Sequence, residues 1–418
     1  MRAAGTCTGN AAFNSMLNIW PCSGGLKNAA IARTLARLSL AAVLAVFCLA
    51  AAGTELRAQT IDTSAPYVIV IDYDSNTVLL EKDADKPVPP ASLSKLMTME
   101  VVFHAIKEKR LTLDDTFHIS ENAWRKGGAT SGGSTMFAQL NSDIKLSDLI
   151  QGVIVQSGND ACIAIAEGMA GSEEAFASML NERARELGLT NSSFANATGL
   201  PDPNHYMSMR DLAKLARHMI REYPDLYRYY SQPEFTWNNI LQRNRNPLLR
   251  EAPGADGMKT GYIKDSGYGL VGTTLRDGQR VILAMTGLGS VRERASEARK
   301  MIDWAYRSFE QLQLFDADET VGEARVYGGE KRWVRLVGDG AIKILLPRGQ
   351  RQKMKARIVY RGPLLAPIEE GARVAEMRVT TDVGVTLSVP LYAGEEVSTG
   401  KIHQRALDAV LDLITRWW

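Results

Sequence analysis

The sequence predicts an α+β protein: helices packed on one antiparallel sheet, then a small all-β domain, then a C-terminal amphipathic helix. Three observations predict it. Two strand-type runs, a long helical block, and three strands with a closing helix follow one another up to residue 315, an order that suits a single antiparallel sheet with helices on it. Composition changes near Asp316, where short β-type segments begin to alternate with glycine and proline. Residues 401–418 carry apolar side chains at helical spacing. The expected division is a leader over 1–58, a first domain over 59–315, an all-β domain over 316–395 and the amphipathic helix over 396–418.

The leader reads as an export signal. Arg33 and Arg37 precede residues 38–52, an uncharged run rich in Ala, Leu and Val. That run has the length of a signal core and is short for a membrane span. Ala58 ahead of Gln59 marks the expected cleavage point, though Leu56 suits an A-x-A-like site poorly, so the exact bond stays open. The lead-in of 32 residues is long, and initiation nearer Met16 would shorten it. An uncleaved signal anchor is the competing reading.

Next, residues 67–71 and 77–81 are β-rich and flank a turn at Asp74-Ser75-Asn76, a hairpin signal. Pro87, Pro89 and Pro90 stop the strand before a helix whose apolar positions include Leu93, Leu96, Met97, Val101 and Ala105. Residues 146–223 are mainly helical in pattern, broken by a loop over 196–206. Strand patterns return at 257–262, 268–274 and 281–286, and a helix over 292–309 closes the unit. In the all-β region the runs are 324–327, 333–337, 341–346, 354–360, 373–379 and 386–390, with no cluster of His, Cys or carboxylates.

In the last stretch Ile402, Ala406, Ala409, Val410, Leu413, Ile414 and Trp417 share one helical face, opposite Lys401, Arg405, Asp408, Asp412 and Arg416. Trp417 and Trp418 suit a membrane interface. The reading is an in-plane membrane anchor, against a helix docked on the β domain, which would show the same stripe.

Charge and cysteine use narrow the function class. The chain of 418 residues carries a formal +2. Five cations (Arg2, Lys27, Arg33, Arg37, Arg57) against Glu55 put +4 in the leader, which leaves −2 for the rest. A near-neutral body argues against a nucleic-acid partner. Cys7, Cys22 and Cys48 lie in the leader, so Cys162 alone remains and no internal disulfide can form. Its apolar helical setting makes it a packing residue. The five histidines are scattered and form no H-E-x-x-H, so neither a metal nor another cofactor is expected.

Three short motifs carry chemistry. Ser92-Leu93-Ser94-Lys95 opens the first helix, and positions i and i+3 share a helix face. Serine is a weak nucleophile that needs a base within reach, and a helix start favours developing negative charge. Lys95 can serve only when neutral, and both Lys259 and partial burial would lower its pKa. In Ser157-Gly158-Asn159, the serine can relay a proton and the amide can hold a carbonyl. Lys259-Thr260-Gly261 lies on an edge-like strand, where lysine and threonine suit a carboxylate and glycine lets a substrate backbone approach. Each alone fits an N-cap, a turn or a solvated strand. Their joint order points to one site.

With Pro90-Ala91-Ser92-Leu93, Gln156-Ser157-Gly158-Asn159-Asp160-Ala161-Cys162, residues 241–246 and Gly257-Met258-Lys259-Thr260-Gly261 in place, the chain resembles the type-5 low-molecular-mass penicillin-binding proteins from about residue 61 onward. These are D-alanyl-D-alanine carboxypeptidases with a β-lactamase/transpeptidase-like domain. The resemblance implies that Ser92 is the acylated nucleophile, Lys95 its base, Ser157 the relay and Asn159 a substrate ligand. Lys259, Thr260 and Gly261 form the second wall, and the backbone N–H groups of Ser92 and Tyr262 form the oxyanion hole. Tyr262 stands where the family often has histidine. Arg294 matches an arginine for the substrate's terminal carboxylate, against an ion pair with Glu297 on its own helix. Gly132-Gly133-Ser134 resembles a mobile loop beside the cleft.

The implied reaction releases the terminal D-alanine of a peptidoglycan stem pentapeptide through an acyl-enzyme, at the periplasmic face of the cytoplasmic membrane. Beta-lactam antibiotics should acylate Ser92. A β-lactamase shares the triads, but class A enzymes use a glutamate-activated water and residues 190–206 hold no glutamate. A D,D-endopeptidase or a non-catalytic wall-binding scaffold are the remaining alternatives.

Overall fold

The computed structural model describes residues 61–348, 354–381, 386–402 and 405. The leader, and the amphipathic segment apart from 396–402 and 405, lie outside the described residues. The chain begins with β1 (Tyr67–Asp72) and β2 (Val78–Lys82), followed by α1 (Lys95–Lys107), β3 (Thr116–His118), β4 (Asp143–Lys145), α2 (Leu146–Gln151), α3 (Asn159–Ala170) and α4 (Glu173–Glu186). Next come α5 (Met209–Glu222), α6 (Pro224–Tyr227), β5 (Glu234–Trp237), β6 (Ile240–Arg243) and α7 (Leu248–Glu251). Strands β7 (Ala255–Ile263), β8 (Gly267–Arg276) and β9 (Gln279–Leu288) precede α8 (Val291–Ser308).

The central sheet is antiparallel with the order β2-β1-β9-β8-β7. Both faces are covered, as the alternation within β1 shows: Ile69 and Ile71 join one apolar core, Val68 and Val70 the other. On the first face Met258, Val271 and Ile282 share a core with Leu96 and Phe103 of α1, Ile165 of α3 and Leu212 of α5. On the second, Leu270, Leu283 and Met285 meet Ala298, Met301, Ile302 and Ala305 of α8, spaced as one helix face. Helix starts are capped locally. Ser172, Ser208 and Ser290 each accept a backbone N–H from three residues on.

The second domain opens with β10 (Phe309–Phe315), which the sequence pattern did not reveal because it continues directly from α8. It goes on through β11 (Gly322–Tyr327), β12 (Trp333–Val337), β13 (Ile342–Pro347), β14 (Met354–Val359), β15 (Leu364–Leu365), β16 (Arg373–Thr381) and β17 (Thr386–Ala393). β10 pairs with β13, and the others form a sheet ordered β14-β16-β17-β12-β11-β15. Leu345 reaches into the core behind the central sheet. Arg221 pairs with Asp339 at 2.8 Å, and Gln311 Nε2 donates to Asp74 Oδ2 at 2.6 Å. The β domain is thus fastened to the first domain at several points.

Candidate active site

Ser92 lies in a 3-10 turn, Ala91–Ser94, and Lys95 is the first residue of α1. The expected α-helical start is therefore one turn later than the sequence pattern indicates. Ala91 is held at φ +51°, a left-handed conformation costly for alanine. The turn sits against the edge strand β7, where a Cβ on Gly261 would come within 3.0 Å of Pro90 O and Leu93 Cγ. Glycine at 261 thus lets the strand lie close against the Ser92 turn.

Lys95 is 1% exposed. Its Nζ lies 3.1 Å from Ser92 Oγ, 2.7 Å from Asn159 Oδ1 and 2.5 Å from the carbonyl oxygen of Thr198. The last two atoms can only accept. A neutral amine has two N–H groups and one lone pair, so these acceptors use both donors and leave the lone pair for the Ser92 hydroxyl. Burial pulls the Lys95 pKa down to about 8. Arg245 adds a smaller push in the same direction, and Lys259 is not among the main causes. Burial does most of the work that the sequence reading shared with Lys259.

Ser157 ends a π-helical turn in a left-handed conformation, φ +66°. Asn159 then starts α3, and its N–H donates to Ser134 O at 2.8 Å. Lys259, 3% exposed, donates to Ser157 Oγ at 2.9 Å and to Thr260 O at 3.1 Å. Burial first, and Lys95 second, hold its pKa well below the usual lysine range. The motifs thus meet as two linked pairs, Ser92 with Lys95 and Ser157 with Lys259, joined through Asn159. Ser157 makes its hydrogen bond to Lys259 and none to Lys95.

Arg294 is 6% exposed and forms no ion pair among the described residues. Glu297, its partner in the competing reading, instead accepts from Thr63 Oγ1 at 2.7 Å and pairs with Lys300 at 2.6 Å. The Arg294 guanidinium lies 5.7 Å from the centre of the Tyr268 ring, and its buried Nε has no hydrogen-bond partner. Tyr268 stacks on Tyr262, centroids 4.2 Å apart, and Tyr262 is 53% exposed at the end of β7.

Sequence reasoning missed three contributors. Thr198 belongs to the loop noted at 196–206. Asn196 Oδ1 fixes it by accepting from Thr198 N, Thr198 Oγ1 and Gly199 N at 2.8–3.1 Å. At Gly199 (φ +79°) a Cβ would lie 1.9 Å from Ala91 O. Buried Asp160 holds the 132–138 loop by accepting from Thr135 Oγ1, Met136 N and Ala138 N. Arg245 donates to Ser134 Oγ at 2.6 Å. The cue for the first was the Asn-x-Thr-Gly turn pattern; the other two depend on tertiary contacts alone. Cys162 is buried and its thiol is pushed up to about 11, as suits a packing residue.

Residues 54–289 match the family described as D-alanyl-D-alanine carboxypeptidase, and 309–399 match the penicillin-binding protein 5 C-terminal domain. The D-alanyl-D-alanine carboxypeptidase DacC of Escherichia coli (strain K12) is 36% identical over 371 residues, 88% of this chain and 92% of its own. The crystal structure of penicillin-binding protein 5 from Haemophilus influenzae superposes with a TM-score of 0.74 at 34% identity, covering 81% of this chain and 99% of that one. Penicillin-binding protein D2 from Listeria monocytogenes, in its ampicillin-bound form, gives 0.53 at 26% identity over 59% of this chain and 99% of that one.

Proposed function

The chain belongs to the D-alanyl-D-alanine carboxypeptidase family, and from that premise we propose that Ser92 is its acylated nucleophile and Lys95 the base. As a serine-type D-Ala-D-Ala carboxypeptidase and penicillin-binding protein, it hydrolyses the bond between the two terminal D-alanines of a peptidoglycan stem peptide through an acyl-enzyme. One observation carries the assignment of roles. In the neutral amine Asn159 Oδ1 and the Thr198 carbonyl take both N–H donors, which leaves the lone pair for Ser92 Oγ.

In this reading Lys95 takes the Ser92 proton as the oxygen attacks the carbonyl carbon. The negative charge that builds on the carbonyl oxygen meets the backbone N–H groups of Ser92 and Tyr262. The C–N bond then breaks, the departing amine takes the proton that Lys95 received from Ser92, relayed by Ser157, and D-alanine leaves with Lys95 neutral again. A water then gives its proton to Lys95 and attacks the ester. The tetrapeptide acid departs as Lys95 returns that proton to Ser92 Oγ. Asn159 Nδ2 holds the substrate backbone. Lys259, Thr260 and Arg294 receive the terminal carboxylate, a role supported by the absence of any anionic partner for Arg294 among the described residues.

Beta-lactams acylate the same serine, and the ampicillin-bound Listeria relative supports this. Residues 396–418 hold the exported protein to the outer surface of the cytoplasmic membrane as an in-plane helix. That reading rests on their amphipathic pattern. Among the described residues no helix is long and apolar enough to cross a membrane. Mass spectrometry after penicillin labelling tests the core of the proposal. The adduct is expected on the peptide bearing Ser92 and is lost in Ser92→Ala; an adduct elsewhere overturns the assignment.

A further inference from the structure

A groove of about 710 Å³ runs between α8 and the segment from Arg245 through α7. Residues of α8 from Val291 to Arg307 line it. At 1.5 Å per residue that is about 24 Å of length, enough for about seven residues of extended peptide. The lining is strongly basic: Arg245, Arg250, Arg292, Arg299, Lys300 and Arg307 face only Glu251 and Asp303. Asp303 is already engaged by Arg276 at 3.0 Å, and Lys300 by Glu297. Arg250 and Arg292 are exposed and have no carboxylate partner among the described residues. Since the chain beyond the leader has a net negative charge, this is a local concentration of cations and not a general surplus.

The groove begins at the catalytic cleft. Arg245 lines it and also donates to Ser134 Oγ in the cleft loop. We propose that it is an exosite for a carboxylate-bearing peptide, namely a stem peptide of the wall polymer other than the one whose end occupies the cleft. The inference rests on the carboxypeptidase reading above. Stem peptides carry free carboxylates along their length, and uncommitted guanidinium groups bind carboxylates with matched geometry. A concave track leading out of the cleft fits an extended peptide, whereas a bilayer surface would need a flat or convex basic patch. Two weak sites on one polymer raise local substrate concentration without altering the chemistry. The enzyme thereby favours polymeric wall over small peptides.

The test compares D-alanine release from pentapeptide-containing sacculi and from diacetyl-Lys-D-Ala-D-Ala, whose single carboxylate is the terminal one. In Arg250→Glu/Arg292→Glu, kcat/KM on sacculi should fall about tenfold at low salt. The deficit should shrink at high salt, with tripeptide turnover and penicillin acylation unchanged. Sacculi whose internal stem-peptide carboxylates are amidated, with the terminal D-alanine carboxylate left free, should bring the wild type down to the variant's rate. Equal rates on sacculi overturn the proposal, as does a parallel fall on tripeptide and penicillin. Loss of binding to phosphatidylglycerol vesicles with sacculus turnover intact assigns the groove to lipid and also overturns it. Failure of the carboxypeptidase reading looks different, since the wild type would then release D-alanine from neither substrate.

Discussion

Lys95 Nζ and the carbonyl oxygen of Thr198 lie 2.5 Å apart, although 103 residues separate them in the chain. The Lys95 amine is thus aimed by a loop outside all three sequence motifs. That loop is seated by Gly199, where any side chain would run into Ala91 O and Ser94 Oγ. Gly199→Ala is expected to slow penicillin acylation of Ser92 by about a hundredfold, the effect of an ångström-scale misplacement. It should also lower stability by roughly 1 kcal/mol or more, since alanine is strained at positive φ. Stopped-flow acylation and thermal melts read the two effects separately.

The depressed pKa of Lys95 sets the pH dependence. Below about 8 the amine is mainly protonated and lacks a lone pair, so acylation should rise about tenfold per pH unit and level off above that value. Lys95→Arg keeps the positive charge but cannot lose its proton near neutrality. It should stay unacylated across the whole range. A wild-type rate that is flat from pH 6 to 9 would remove Lys95 from the role of base.

Arg294 has no anionic partner among the described residues, so its charge is left uncompensated for a ligand carboxylate. Arg294→Gln should raise KM for carboxylate-ended peptides by about 10- to 100-fold, the worth of a charge-assisted hydrogen bond. Peptides ending in an amide should be processed as before. Because the guanidinium is buried without a counter-ion, the variant should melt no lower than the wild type. Equal losses on both peptides would make Arg294 a structural residue.

Ending the chain at Thr399 should shift the protein from the membrane to the soluble fraction without loss of penicillin labelling. Retention on the membrane would place the tether elsewhere.

That the three motifs form one cluster was legible because each keeps a fixed local spacing: Ser92 to Lys95, Ser157 to Asn159, Lys259 to Gly261. The central sheet was legible because β1 and β7–β9 are β-rich runs of strand length with turn residues between them. What escaped notice has a common cause. Thr198, Asp160 and Arg245 act on the site through tertiary contacts, and a backbone carbonyl carries no residue signature. The weight of burial on Lys95 likewise follows from α1 being enclosed on all sides, which one helix's pattern cannot report. Glu297 was a reasonable partner for Arg294 by helix spacing, yet Thr63 and Lys300 compete for it from closer quarters.

β7 is the last strand of its sheet, with Lys259, Thr260 and Gly261 along it. A guest that lies down beside such a strand is read mainly through its amide spine, by the same hydrogen bonds that join strands to one another. Discrimination therefore falls on handedness and on the charged tail, while the identities of the middle side chains count for little. A small rigid molecule that copies only those two features can deceive the enzyme.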